Sequence, residues 1–147
     1  MTSGQTRLRI TANGGFHFSN GELIEHVKIT AGKLSDNTNI DLENGNVHHF
    51  TTAESTTSTP NIRVNSSTSL NSVMAIGDTI SVTLITTAAA AGYSAQLTID
   101  GSAVTEKWNG GSAPSAGGSS GNDVYTYQII KTADATYTVL GNVSNFA

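Results

Sequence analysis

The feature that most constrains this chain is a two-residue rhythm of apolar side chains, broken at short intervals by turn-forming dipeptides. Arg7-Leu8-Arg9-Ile10 alternates polar and apolar, Asn13-Gly14 supplies the positive φ of a tight turn, and Phe16-His17-Phe18 resumes the alternation, which predicts a first hairpin. After Asn20-Gly21, the stretch Glu22 to Thr30 places Leu23, Val27 and Ile29 on one face, interrupted by Glu25, and predicts a strand ending before Gly32. A turn-rich run follows from Ser35 to Asn39. Ile40-Asp41-Leu42-Glu43, then Asn44-Gly45, then Val47-His48-His49-Phe50 repeats the strand, turn, strand grammar and predicts a second hairpin. Thr51 to Pro60 is rich in Thr and Ser, hence an edge strand or a surface loop, with Pro60 as its limit because proline cannot donate to a ladder.

Asn61 to Val64 predicts a short strand, and then the period changes. Leu70, Val73 and Met74 fall at helical spacing behind a capping Ser69 and before Gly77, which predicts the one short helix. Thr79 to Thr87, with Ile80, Val82 and Leu84 inward, returns to the two-residue period. A small-residue turn at Ala88 to Gly92, a strand over Tyr93 to Ile99, the hairpin signal Asp100-Gly101 and a strand over Ala103 to Trp108 follow. The Gly/Ser-rich loop Asn109 to Asn122 leads to strands over Val124 to Lys131 and Thr136 to Leu140. Roughly ten short strands predict an all-β fold, an antiparallel β-sandwich of jelly-roll-like or barrel-like form with one short helix. The chain reads as a single β domain over 1–147, with an N-terminal hairpin and strand extension at 1–32 and a core sandwich at 33–147. No repeat of fixed period stands out, although the two N-terminal hairpins are loosely alike.

Composition narrows the function classes. Ser, Thr, Asn and Gly supply 66 of 147 residues, whereas charged residues number 18, so the expected surface is polar but mostly neutral over a thin core. The absence of cysteine excludes disulfides, a thiol nucleophile and thiolate metal sites. A net charge of −4 and seven scattered Lys and Arg argue against nucleic acid and against an anionic membrane as partner. No apolar run approaches the ~18 residues that span a bilayer, and Met1 to Ile10 lacks a charged-then-apolar leader, so a soluble chain is expected.

Titratable groups are few, and no nucleophile elbow, phosphate-cradling loop or metalloprotease helix pattern occurs, so no enzyme, catalytic residue, metal or cofactor is expected. His48 and His49 are adjacent, which on a strand sends them to opposite faces; a metal would require His17 or His26, or symmetry-related copies around an axis. Asn37, Asn39, Asp41 and Glu43 place oxygens at alternate positions, which suits a solvated strand face better than calcium, since the helix-loop-helix spacing is missing. The glycines from Gly110-Gly111 through Gly117-Gly118 to Gly121 have neither a lysine nor a following helix and read as a surface loop. Trp108, Tyr93, Tyr125 and Tyr127, together with Tyr137, carry flat apolar faces with polar edges and are the candidate contacts for a sugar or a partner. Tyr125 and Tyr127 share a strand face. Core packing, a carbohydrate platform and an inter-subunit interface all fit them, because Val124 to Ile130 leaves neither face plainly wet.

The run Ser69-Leu70-Asn71-Ser72-Val73-Met74-Ala75-Ile76-Gly77-Asp78-Thr79-Ile80-Ser81-Val82-Thr83, followed by Leu97-Thr98-Ile99-Asp100-Gly101, Trp108-Asn109-Gly110-Gly111-Ser112-Ala113-Pro114, Asp123-Val124-Tyr125-Thr126-Tyr127 and Thr136-Tyr137-Thr138-Val139-Leu140 to Phe146-Ala147, resembles the C-terminal module of virion structural and tail-fibre-like proteins of phages infecting marine cyanobacteria. The resemblance covers Ile62 to Ala147 and, more loosely, Lys28 to Phe50; it does not cover the first 25 residues. It implies a non-enzymatic particle component located in the virion and assembled in the host cytoplasm, and it transfers no site residues. The implied partners are other virion proteins, further copies of this chain (a trimer ahead of other orders) and a host-surface glycan. The module ends long fibre chains, whereas here it stands almost alone, which leaves a capsid decoration protein that stabilises the shell as the alternative. A neutral hydrogen-bonding surface suits salt water, where charge pairs are screened and neutral hydrogen bonds are not.

Overall fold

The computed structural model describes residues 8–19 and 22–147, so Arg7 and the Asn20-Gly21 turn lie outside the described residues. The expected all-β character holds, with two sheets packed on one core and one short helix. In chain order the strands are β1 (Leu8–Ile10), β2 (Phe16–Phe18), β3 (Val27–Thr30), β4 (Asn39–Asp41), β5 (Val47–Ala53), β6 (Asn61–Arg63), β7 (Thr79–Thr87), β8 (Thr98–Ile99), β9 (Ser102–Ala103), β10 (Glu106–Trp108), β11 (Asn122–Ala133) and β12 (Thr136–Phe146). The helix, α1 (Leu70–Val73), is a single turn capped as expected by Ser69, whose hydroxyl accepts from the Ser72 N–H at 3.1 Å; it stops at Met74, short of Gly77.

The pairing is mixed rather than purely antiparallel. One sheet has the order β10-β12-β11-β7-β5-β3 and the other β4-β6-β8-β9, and the chain from β3 to β8 alternates between them. As a result β3, β5 and β7 lie parallel in the larger sheet while β4, β6 and β8 lie parallel in the smaller. These are three successive coils of a parallel β-roll. Their stacking builds an aliphatic ladder, Ile40 on Ile62 on Ile99, with each residue at most 1% exposed. Opposite it, Phe50, Val82, Leu84, Tyr125, Tyr127, Ile129 and Val139 complete the core. The long β11–β12 hairpin then pairs antiparallel with β7, and β10 adds parallel to β12 as the edge of the larger sheet.

The expected second hairpin does not form. After β4 the chain makes a 3-10 turn over Leu42–Asn44 and crosses to the other sheet. Gly45 makes that crossing possible: at φ 111° it takes a conformation closed to L side chains, and a Cβ there would sit 2.7 Å from the His26 carbonyl oxygen. Other boundaries shift as well. The strand expected over Tyr93 to Ile99 is reduced to β8, and that expected over Ala103 to Trp108 splits into β9 in one sheet and β10 in the other. The strand expected from Glu22 begins only at Val27, leaving Leu23 exposed. Thr51 to Pro60 divides into the end of β5 and a loop, and β12 runs on past Leu140 to Phe146. The Asn13-Gly14 hairpin and the Asp100-Gly101 turn between β8 and β9 form as expected.

Candidate functional site

The register of four strands builds a groove. Val82, Tyr127, Gly141 and Trp108 occupy one row across β7, β11, β12 and β10. Val82 and Tyr127 point into the core, so the flanking rows point out. One wall is Ser81, Gln128, Leu140 and Lys107; the other is Thr83, Thr126 and Asn142, continued by Asn109. The open space between them measures about 570 Å³.

The walls are tied by their own hydrogen bonds. The Ser81 hydroxyl donates to Gln128 Oε1 at 2.7 Å, and Gln128 Nε2 donates to the Thr79 hydroxyl. Asn109 Nδ2 donates to Asn142 Oδ1 at 3.1 Å. Such rails hold neutral donors and acceptors at the ~4.8 Å spacing of neighbouring strands, with Leu140 as an apolar contact and Lys107 as the one charged group in the lining. The arrangement suits hydroxyl-rich or amide-rich ligands held by shape and neutral hydrogen bonds.

Of the four aromatic candidates, Trp108 and Tyr127 belong to the central row that lines this groove, whereas Tyr125 and Tyr93 lie elsewhere. Tyr125 and Tyr127 are both 1% exposed and lie in the core. The Tyr125 hydroxyl accepts from the Ser94 N–H at 3.3 Å, and burial pushes its pKa up to about 12. Tyr127 is held neutral still more strongly by burial, and its hydroxyl has no partner. Trp108 packs at the margin of the core, edge-on to Tyr127 with ring centroids 5.9 Å apart. Gly141 allows this, since a Cβ there would lie 3.1 Å from the indole ring. Tyr93 lines a separate depression with Thr57, Ser58 and Gln96. Tyr137 is half-buried, packed against the core, with a hydroxyl that has no partner.

The oxygen row from Asn37 to Glu43 is engaged by the next coil. Asn61 Nδ2 donates to Asn39 Oδ1 at 3.0 Å, Arg63 Nε to Asp41 Oδ1 at 2.5 Å, and Asn65 Nδ2 to Glu43 Oε2 at 2.9 Å, each across 22 residues of chain. Asn37 instead donates to the Lys33 carbonyl. His48 and His49 take opposite faces as expected, with His48 buried and its Nε2 3.0 Å from the Gly45 carbonyl. Burial holds the His48 pKa below its ordinary value, opposed in part by that carbonyl.

Sequence reasoning missed the buried charges. Glu54 accepts from the backbone N–H of Leu34 at 2.5 Å and of Ser35 at 3.3 Å, clipping the first crossing to the end of β5. Asp123 accepts from the Gly118 N–H and from Asn145 Nδ2, which pins the Gly/Ser loop. Lys131 Nζ donates to the carbonyls of Asn71 and Met74, and Asp100, half-buried rather than buried, accepts from the Leu70 and Asn71 N–H groups, so both fasten α1. Each is an acid or base that bonds backbone, with the Asn145 amide added at Asp123, which makes it a structural clip. Nothing local marks these residues, because their partners lie 5 to 60 positions away.

No family model, curated protein or solved structure matches this chain.

Proposed function

We propose that the chain is a non-enzymatic structural protein of a virus particle, an exposed appendage of tail-fibre type that attaches through its N-terminal side and offers its large sheet to a host-surface glycan. One observation carries the reading: two kinds of surface are segregated. Among the described residues, seven of the eleven large apolar side chains left exposed lie between Leu8 and Ile29, and the last of them stands on β3, one edge of the larger sheet. The neutral groove lies toward the other edge, across β7, β11, β12 and β10. An apolar end suits attachment, and a neutral, hydrogen-bonded face suits weak contacts repeated over many copies. The resemblance of Ile62 to Ala147 to virion modules supplies the particle.

Mass spectrometry of gradient-purified particles, with immunogold labelling against this chain, tests the reading. Peptides of the chain in the particle and gold at the tail are the expected result. Gold over the capsid lattice replaces the appendage by shell decoration, and absence from purified particles overturns both. For the glycan contact, Thr126→Lys and Gln128→Ala are expected to abolish binding of the purified protein to host cells; unchanged binding removes the groove from the proposal.

A further inference from the structure

The first coil of the roll is an open end. There β3 and β4 are edge strands of the two sheets, and both line a cavity of about 360 Å³ together with His48 and Phe50 of β5. In β5, His48 and Phe50 are buried, so their parallel partners Lys28 and Thr30 point to the same side of β3. His48 is the buried polar group of the cavity, 4% exposed. Its Nε2 lies 3.0 Å from the Gly45 carbonyl, which only accepts, so Nε2 carries the proton and Nδ1 of the neutral ring is an acceptor. Burial, with Lys28 nearby, lowers the pKa of the ring and keeps it neutral. Nδ1 makes no hydrogen bond among the described residues, and it is not one of their sealed unpartnered atoms either, so its remaining exposure opens to the cavity. The rim supplies complementary groups. Asn39 accepts from Asn61 through Oδ1 and keeps Nδ2, whereas Asn37 donates to the Lys33 carbonyl through Nδ2 and keeps Oδ1. Asp41 is paired with Arg63, which offsets its charge, and Lys28 has no ion pair among the described residues.

We propose that this mouth binds an acidic sugar, a ring carrying one carboxylate among several hydroxyls. One hydroxyl donates to His48 Nδ1, the carboxylate accepts from Lys28 Nζ, and further hydroxyls bond the free amide atoms of Asn37 and Asn39. Each half of that chemistry answers a group the fold leaves open. A buried acceptor without a donor selects a ligand O–H, because leaving it unmade is costly. An ammonium group without a counter-charge, beside a neutral imidazole, selects an anion over a metal cation, and among the described residues no three metal-ligating side chains gather. The volume lies at the lower end of the range of small-ligand sites, which suits one sugar ring rather than a chain. The mouth opens at the β3 edge of the larger sheet, whereas the groove lies toward the β10 edge, so the inference needs neither the groove nor the particle reading.

Nuclear magnetic resonance of the imidazole nitrogens in the full-length chain, titrated with sodium glucuronate to tens of millimolar at neutral pH, tests it. A saturable shift of the His48 Nδ1 resonance is expected. Glucose, which lacks the carboxylate, and acetate, which lacks the hydroxyls, are each expected to bind at least about tenfold more weakly. Lys28→Gln, at an exposed position, is expected to raise the glucuronate Kd at least about tenfold with an unchanged far-ultraviolet spectrum. Lys107→Gln, in the groove, is the control expected to bind as the wild type does. Absence of a His48 shift with glucuronate overturns the proposal, as does glucose or acetate binding equally well, or Lys28→Gln binding like the wild type. Binding lost in Lys107→Gln also overturns it, by placing the sugar in the groove.

Discussion

A chain without cysteine offers a clean test of the coiled path, because any disulfide in it is one that has been placed. Val27 and Val47 are parallel partners in β3 and β5, 20 residues apart, half-buried, with side chains on the same outward face. Neighbouring strands stand ~4.8 Å apart, within the Cα separation that a disulfide spans. Closing a loop of this length removes about 3 kcal/mol of conformational freedom from the unfolded chain. Replacing two half-buried valines returns about 1 kcal/mol of lost packing, which leaves a net gain of about 2 kcal/mol. For a chain of this size that raises Tm by roughly 4 to 8 °C, reversed by reductant. The assay is calorimetry on Val27→Cys with Val47→Cys, with and without dithiothreitol, after thiol titration shows the pair oxidised. Ile40→Cys with His49→Cys is the control: a hairpin turning on Asn44-Gly45 would bring these two positions together, whereas in the roll they belong to opposite sheets, about 10 Å apart. Oxidation of the control pair, or failure of the Val27 and Val47 pair to close, would refute the parallel coil and restore the hairpin.

Other expectations follow from single contacts. Gly141→Ala puts a methyl group against the indole of Trp108, the one tryptophan in the chain, so a loss of about 1 to 2 kcal/mol should accompany a shift in tryptophan emission; unchanged emission and urea midpoint would show that Trp108 does not lie over Gly141. The two core tyrosines should respond in opposite directions to loss of the hydroxyl. Tyr127→Phe removes an unpartnered buried hydroxyl and should be neutral or slightly stabilising, whereas Tyr125→Phe strands the buried Ser94 N–H and should cost about 1 to 3 kcal/mol; equal effects in urea denaturation would refute this placement. His48, buried beside the Gly45 carbonyl with Lys28 and Asp41 nearby, stays neutral in the fold to lower pH than in the unfolded chain. The unfolded state therefore takes up the proton first, so stability should fall as pH drops from about 6.5 towards the lowered folded value, and His48→Gln should flatten the Tm profile over that window. A wild-type profile as flat as that of the variant would count against the burial of His48.

The two-residue period was enough to read the class of fold and much of the strand inventory, since alternation is a local consequence of which side chains face a core. Ser69 before Leu70 marked the short helix, and Asn13-Gly14 and Asp100-Gly101 marked true hairpin turns, because capping and positive φ act within a few residues. A polar, neutral surface was legible in the composition, but which face of β11 meets solvent was not: Val124 to Ile130 left neither face plainly wet, whereas the packed sheet turns Thr126 and Gln128 into the open groove. The path between sheets was not legible either. Asn44-Gly45 fits a hairpin or a crossing equally well as a dipeptide, and what decides is the approach of His26 from an earlier coil. The groove required four strands from Ser81 to Asn142 to fall into one register, and the buried Glu54, Asp123 and Lys131 acquire their roles only from backbone brought in by the fold. Local propensity belongs to neighbours along the chain; parallel pairing is settled between segments 20 residues or more apart, where only the packed structure can choose the partner.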